Sequence, residues 1–186
     1  MNHLSRDVEK LPEGVLLKVL HEHSDTRGRL MEIYRTSEGL PPFPQMNYVR
    51  SKPGVLRGVH VHPDHADYLM VLDGTMILGV HDIRRTSPTF GVSCLITLDA
   101  AKPMTCFIPT GVAHGFYLPC ETTYLYGLSG EWSLDGDFGC HWNDAALGID
   151  WPLEQEPTVS DRDRDAMSFD EMVERYESIM AQRDGS

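Results

Sequence analysis

The chain has 186 residues, which is enough for one domain with a sizeable core. Its formal charge of −12, from 28 acidic and 16 basic side chains, disfavours nucleic acid or an anionic membrane as a partner. No apolar run reaches the ~20 residues that cross a bilayer, and the N-terminus lacks the apolar stretch of a secretory signal peptide, so we expect a cytoplasmic protein.

The first third of the chain is predicted to be extended. Residues 1–13 are expected to form a flexible lead-in. The stretch from 14 to 34 is interpreted as two strands joined by a turn at 25–28. Three prolines between residues 41 and 44 exclude a helix, and an extended pattern resumes at 45–51.

The middle of the chain is a series of short apolar segments. Turn residues separate them, among them the pairs at 63–64 and 73–74 and the triplet at 109–111. Many short strands at this spacing are typical of an all-β sandwich or barrel. We therefore predict one β domain over residues 14–160.

The last element is different in character. Ser168 and Glu171 have the spacing of a capping box at the start of a helix. Apolar residues then recur on one helical face. The sequence therefore predicts a C-terminal segment, 161–186, with a packing helix at about 168–182.

Three histidines and one aspartate have the spacing of a metal site. His60 and His62 lie two residues apart in a predicted strand, so both rings point to the same side. Asp67 follows, and His114 comes after a Pro-Thr-Gly turn. This spacing resembles the two-part motif of the cupins, whose metal-binding members use three histidines and an acidic residue. The resemblance implies a jelly-roll barrel and a candidate ligand set for iron, manganese, nickel or zinc.

The alternative is that some of these groups only line a polar barrel, and it stays open for His62 and Asp67. The other histidines belong to no such constellation and are expected on the surface or in loops. They are His3, His21, His23, His65, His81 and His141.

A second resemblance covers most of the chain and rests on seven segments in order. They are DTRGRLMEIY, QMNYVRS, GVLRGVH, DIRRTSPTFG, IPTGVAHGF, WNDAALGIDWP and VSDRD. Together they resemble the deoxythymidine-diphosphate (dTDP) 4-dehydrorhamnose 3,5-epimerases, a cupin family of nucleotide-sugar enzymes. The resemblance runs from about residue 14 to about residue 175.

The resemblance implies base-catalysed epimerisation of a nucleotide-diphospho-4-keto-6-deoxy sugar, with no cofactor. A C4 ketone acidifies the hydrogens at C3 and C5, and a histidine is a suitable base near neutral pH. The family's base corresponds to His60, its orienting carboxylate to Asp163, and a second pocket histidine to His114. The family also implies a homodimer whose N-terminal strand crosses to the partner sheet. Substrate contacts are expected from Arg27, Glu32, Gln45, Asn47, Arg57 and Trp132.

Two positions depart from the family. Asp67 stands where the family has a lysine that stabilises the enolate, and a carboxylate there raises the barrier. Trp132 stands where the family has a tyrosine as the acid on the opposite face, and an indole N–H is not a general acid in this pH range.

Three hypotheses follow from these departures. The first is a metal-free nucleotide-sugar epimerase or isomerase, acting at one or both centres. The second is a metal-dependent cupin enzyme that uses His60, His62, Asp67 and His114. The third is a non-catalytic cupin that binds a sugar nucleotide. In the second hypothesis His60 cannot be both ligand and free base, because each role needs the same lone pair.

Overall fold

The computed structural model describes residues 10–134 and 136–184, which form two five-stranded sheets and a separate hairpin. Two helices, α1 (Asp161–Arg164) and α2 (Phe169–Asp184), follow the sheets, and short 3₁₀ turns lie at Thr36–Glu38 and Ala145–Leu147. The strands are β1 (Leu16–Val19), β2 (Glu22–Asp25), β3 (Gly28–Met31), β4 (Gln45–Ser51), β5 (Val55–Val61), β6 (Asp67–Asp73), β7 (Thr75–Asp82), β8 (Ser93–Asp99), β9 (Met104–Ile108), β10 (Val112–Leu118), β11 (Thr122–Leu128) and β12 (Phe138–Gly139).

The strands are joined antiparallel in both large sheets. The first sheet has the order β1-β9-β6-β11-β4, and the second has the order β12-β5-β10-β7-β8. Within the described part of the chain, strands β2 and β3 pair with each other and with no further strand. The non-sequential order within each sheet is that of a jelly roll.

The main core lies between the two large sheets. In β7, Met76, Leu78 and Val80 point inward and are fully buried. They pack with Leu69 and Val71 of β6, which belongs to the other sheet. Because side chains alternate along a strand, each strand contributes every second residue to this core.

A second apolar cluster covers the outer face of the second sheet. Helix α2 contributes Met172 and Tyr176 to it, and Trp151 joins them from the segment before the helices. The predicted capping box forms, because the backbone N–H of Ser168 donates to Glu171 Oε2 over 2.9 Å. The outer face of this sheet is therefore interior rather than solvent-exposed.

The prediction of an all-β jelly roll with a C-terminal helix is confirmed. The predicted turn at 25–28 joins β2 to β3, and each predicted central segment forms a strand. The N-terminal stretch differs in two ways. It forms three strands instead of two, and β1 pairs with β9 of the same chain, whereas the resemblance implied pairing with a partner. Residues 1–9 of the predicted lead-in lie outside the described residues. None of the described helices is both long and apolar enough to span a membrane.

Candidate active site

A cavity of about 320 Å³ lies between the two large sheets. Its walls come from strands of both sheets, from the segment around residue 132 and from helix α1. Most of the polar residues singled out in the sequence meet there. The polar and charged side chains that line it are Arg57, His60, His62, His65, Asp67, His114, Tyr124, Tyr126, Trp132, Asp137, Ser160, Arg162 and Asp163.

His60 and Asp163 form a hydrogen-bonded pair in the cavity wall. His60 Nε2 donates to Asp163 Oδ1 over 2.7 Å, and only 6% of the Asp163 side chain is exposed. Ser160 caps helix α1 and accepts a hydrogen bond from the backbone N–H of Asp163, which fixes the carboxylate. Burial raises the pKa of Asp163, but hydrogen bonds, led by the one from His60, outweigh burial and hold it below its usual value. The charged carboxylate therefore keeps the proton of neutral His60 on Nε2 and leaves a lone pair on Nδ1.

Two glycines let neighbouring strands approach this pair closely. Gly58 has a φ of +103°, and a Cβ there would lie 2.8 Å from the Cα of Gly115 in β10. Gly139 in β12 pairs with His60, and a Cβ there would overlap the carbonyl oxygen of Val59. Side chains at either position would force β5 away from its neighbours and move His60.

A second pair is formed by Asp67 and His114. His114 Nε2 donates to Asp67 Oδ2 over 3.0 Å, and His114 Nδ1 donates to the carbonyl oxygen of Val112 over 3.1 Å. Burial, the largest single effect, lowers the pKa of His114 and raises that of Asp67, but the hydrogen bond between them and the neighbouring charges together outweigh burial in both. The pKa of His114 is therefore raised and that of Asp67 lowered, which makes an ion pair. Neither nitrogen of His114 is left to accept a substrate proton, so its catalytic role stays a prediction that this geometry does not favour.

His62 lies between two buried carboxylates. Its Nε2 is 3.9 Å from Asp67 Oδ2, and its Nδ1 is 3.6 Å from Asp137 Oδ1. Burial lowers the pKa of His62 to about 3, so the ring is neutral at physiological pH. The rings of His60 and His62 are 6.5 Å apart and line the same cavity, as their spacing in the sequence predicted.

The expectation that the other histidines lie on the surface or in loops is wrong for His81, which is buried in β7, whereas His65 lies in a loop but is buried. His65 is 2% exposed, stacks on His62 at 4.3 Å between ring centroids, and places Nε2 3.5 Å from Asp67 Oδ1. His81 is buried under the C-terminal segment and donates from Nδ1 to the carbonyl oxygen of Leu147. Both side chains are buried because later segments of the chain cover positions that look exposed in isolation.

Asp137 is a cavity carboxylate that sequence reasoning missed. It accepts hydrogen bonds from Arg162 Nη1 over 2.8 Å and from the indole N–H of Trp132 over 2.7 Å. Burial raises the pKa of Asp137, but these bonds outweigh burial and lower it well below its usual range. Asp137 belongs to no recognisable motif, so only the structure identifies it.

Arg57 gives the cavity a positive charge. Its guanidinium donates to Ser51 Oγ over 3.2 Å. Among residues 10–134 and 136–184, it forms no ion pair with a carboxylate. The three cavity carboxylates are already paired, with His60, His114 and Arg162. The cavity can therefore accept an anion although the chain as a whole is acidic.

The predicted substrate contacts Gln45, Asn47 and Trp132 lie together beside the cavity. Gln45 accepts a hydrogen bond from the backbone N–H of Trp132 and donates one to Asn47. Both polar side chains share a face of β4 with Val49, which lines the cavity. Trp132 itself is half-exposed and contributes its ring to the lining.

Arg27 and Glu32 are not brought to the cavity of the same chain. Arg27 lies in the turn of the β2–β3 hairpin and pairs with Asp25, with 88% of its side chain exposed. Glu32 pairs with Arg35 just beyond the hairpin. Neither side chain belongs to the cavity lining.

Comparisons with known proteins give one consistent family. The family model described as dTDP-4-dehydrorhamnose 3,5-epimerase matches residues 10–171. A dTDP-4-dehydrorhamnose 3,5-epimerase of Pseudomonas aeruginosa is 38% identical over 154 residues, covering 78% of this chain and 85% of the relative.

Solved structures of two epimerases are also similar. The dTDP-6-deoxy-D-glucose-3,5-epimerase RmlC of Legionella pneumophila, in complex with dTDP-4-keto-L-rhamnose, has a TM-score of 0.79 at 30% identity and covers 84% of this chain and 88% of its own. The 3'-monoepimerase ChmJ of Streptomyces bikiniensis, in complex with dTDP-quinovose, has a TM-score of 0.80 at 29% identity and covers 94% of this chain and 96% of its own.

Proposed function

Because the chain belongs to the dTDP-4-dehydrorhamnose 3,5-epimerase family, we propose that it epimerises a dTDP-4-keto-6-deoxy sugar at C3, at C5 or at both. The observation that carries this proposal is the hydrogen-bonded pair of His60 and the buried Asp163 in the cavity wall. A pair of this kind is the machinery for removing a proton beside a ketone. It favours an enzyme over a protein that only binds a sugar nucleotide.

The reaction begins at the hydrogen beside the C4 ketone. His60 Nδ1, which holds the lone pair, removes a proton from C3 or C5 and leaves an enolate. Asp163 stabilises the resulting imidazolium across the 2.7 Å hydrogen bond and keeps the ring in place. Return of a proton to the opposite face of the same carbon inverts the centre.

Asp67 is less of an obstacle to this chemistry than the sequence alone indicates. A lone carboxylate beside the developing enolate would raise the barrier. In the structure Asp67 is neutralised by His114, which is buried against it. The substrate therefore meets an ion pair rather than a bare negative charge.

Trp132 does not supply the proton for the opposite face, because its indole N–H is bound to Asp137. The cavity offers another donor, the phenol of Tyr126. Burial, with a smaller effect from Asp67, raises the pKa of Tyr126, so its hydroxyl stays protonated at neutral pH. We assign Tyr126 as the proton donor to the enolate.

The diphosphate is assigned to Arg57. A guanidinium binds phosphate oxygens in a two-pronged arrangement that a single ammonium cannot provide. Trp132 offers an aromatic face beside it, with Gln45 and Asn47 as polar neighbours. Together they support nucleotide binding next to the His60–Asp163 pair.

The test is conversion of dTDP-4-dehydro-6-deoxyglucose by the full chain, followed by nuclear magnetic resonance. The proposal expects signals of a C3 or C5 epimer with the wild-type chain and none with His60→Asn. Binding of the nucleotide sugar by the wild-type chain without any epimer would overturn the proposal in favour of a binding protein.

A homodimer is the assembly we propose, with the β2–β3 hairpin in the interface. All hairpin residues except Met31 are exposed, and a two-stranded hairpin alone is marginally stable in water. Large apolar side chains are exposed on it and on β4, including Leu30, Met46 and Tyr48. Met46 and Tyr48 lie two residues apart in β4 and share one face, and exposed apolar surface of this kind typically marks an interface. A second copy seated there would also explain why the predicted contacts Arg27 and Glu32 lie outside their own cavity.

Light scattering after size exclusion tests the dimer. We expect twice the chain mass for the wild type and the monomer mass for Tyr48→Lys. Phe90→Asp, which changes an exposed apolar residue elsewhere, is the control and should remain dimeric. A monomeric wild type would refute the assembly. The cytoplasmic location stays a prediction that cell fractionation can check.

A further inference from the structure

We propose that His62, Asp67 and His114 form a binding site for one divalent transition-metal ion. One donor atom of each lies within 4.8 Å of the other two. All three side chains are at least nine-tenths buried in the cavity wall. The proposal goes beyond the epimerase function, because nothing in the chemistry of His60 and Asp163 requires an ion.

The distances between donor atoms suit a small cation. Asp67 Oδ2 lies 3.0 Å from His114 Nε2 and 3.9 Å from His62 Nε2. Donor atoms bound to zinc at about 2.0–2.2 Å in a tetrahedron are about 3.3–3.6 Å apart. Both distances to Asp67 therefore lie within a few tenths of an ångström of those in such a site, and an ion bound there takes the place of the proton that His114 Nε2 shares with Asp67. Two imidazoles and a carboxylate are a donor set for zinc, iron, cobalt or nickel.

The outer contacts of both histidines are those of metal ligands. His114 donates from Nδ1 to the carbonyl oxygen of Val112, which turns Nε2 toward Asp67. His62 has its Nδ1 3.6 Å from the carboxylate of Asp137, which turns its Nε2 toward the same point. A ligating histidine is typically held by a carbonyl or carboxylate on its other nitrogen; His114 has such a hydrogen bond, and His62 has the carboxylate of Asp137 beside Nδ1, beyond hydrogen-bond distance.

Buried polar atoms without hydrogen-bond partners surround the three donor atoms. In the structure, hydrogen-bond partners are lacking for His62 Nδ1, Asp67 Oδ1, Asp137 Oδ1 and both ring nitrogens of His65. Buried polar atoms without partners are uncommon and usually have a functional reason. When a divalent cation displaces the proton shared by Asp67 and His114, it takes over the neutralisation of this buried carboxylate.

His60 is not part of this site, unlike in the four-residue set that the sequence suggested. Its Nε2 is held by Asp163, and its ring lies 6.5 Å from that of His62. The ligand and the base are therefore different histidines, which removes the conflict between the two roles. When bound, a divalent ion would supply a Lewis acid beside the cavity, at the position where the family has its lysine.

The direct test is calorimetric titration of the chelator-treated full chain with zinc chloride and with cobalt chloride. We expect saturable binding of one ion per chain, with the visible absorption of four- or five-coordinate cobalt. Asp67→Asn and His62→Gln should each weaken binding by about 100-fold or more, and Asp137→Asn by about 10–100-fold. His60→Gln is the matched control and should keep the wild-type affinity within about threefold.

Absence of one-to-one binding in the wild type would overturn the site. So would unchanged affinity in Asp67→Asn and His62→Gln, or a loss in His60→Gln as large as in those two. Circular dichroism identifies folded variants, and Asp67→Asn, which keeps the shape of the side chain, is the variant least prone to misfold. Because no sugar is present, the result is independent of the epimerase proposal.

Discussion

Replacing Asp163 by Asn tests the charge behind the base. The exchange keeps the shape of the side chain but removes the negative charge that faces His60 Nε2 at 2.7 Å. When His60 accepts a proton, its charge and that of Asp163 are centred about 4 Å apart, and at an effective dielectric constant near 20 two such charges attract by about 4 kcal/mol. Loss of that attraction lowers the rate about 1,000-fold. A carboxamide can also donate to Nε2 and reverse the tautomer, which adds to the loss.

Steady-state kinetics on dTDP-4-dehydro-6-deoxyglucose measures this effect. We expect kcat to fall about 1,000-fold in Asp163→Asn while KM changes by less than about threefold, because the charge matters mainly after proton transfer. Asp161→Asn, an exposed carboxylate of the same helix, is the control and should behave as the wild type. A kcat of Asp163→Asn within about fivefold of the wild type would refute the role of the pair.

Three further predictions concern the donor, the packing around the base and acid stability. Tyr126→Phe should still exchange the substrate hydrogen with solvent but should invert the carbon about 100-fold more slowly. Tyr124→Phe is the control. Equal loss of exchange and inversion in Tyr126→Phe would show that Tyr126 does not protonate the enolate. Gly139→Ala should lower kcat by about 100-fold because its Cβ displaces the strand that carries His60, whereas Gly130→Ala, where a Cβ finds 3.5 Å of room, should be neutral. Asp82 is fully buried, and burial raises its pKa. Hydrogen bonds, led by those from Arg84, outweigh burial and lower the pKa to about 2 in the folded protein. In the unfolded chain the pKa of an aspartate is about 3.9. Its stabilisation is therefore complete above about pH 4 and lost as the pH falls toward 2. Thermal unfolding measured from pH 5 to pH 2 should show this loss of stability in the wild type and a smaller loss in Asp82→Asn. The variant should be about 3 kcal/mol less stable than the wild type at neutral pH. Equal loss of stability in acid for both proteins would contradict the role of Asp82.

The strands were predictable because local chemistry marks their ends. Gly74 sits in a turn with a φ of +83°, where other residues are strained, and Gly111 marks another turn in the same way. The C-terminal helix starts where Ser168 and Glu171 can satisfy its free N–H groups. Such signals depend on neighbours in the chain, which a sequence displays directly.

The composition of the site was only partly predictable. Alternation correctly placed His60 and His62 on one side, because His60 lies near the end of β5 and His62 follows that strand directly, still lining the cavity. The same rule does not extend to His65, which lies in the loop that folds back over the cavity, nor to Asp137, which follows a turn far along the chain. The pairing of Asp67 with His114 depends on two strands of different sheets meeting. Such contacts arise from tertiary packing and leave no local signature.

Solvent deuterium uptake tests the central claim most directly, since the His60–Asp163 pair must break a carbon–hydrogen bond beside the C4 ketone. The full chain is incubated in D₂O with dTDP-4-dehydro-6-deoxyglucose, and deuterium is located by nuclear magnetic resonance against a sample without enzyme. We predict deuterium at C3, at C5 or at both with the wild type, and none above the enzyme-free sample with His60→Asn. Absence of deuterium at both carbons in the wild type, or equal uptake in His60→Asn, would contradict it.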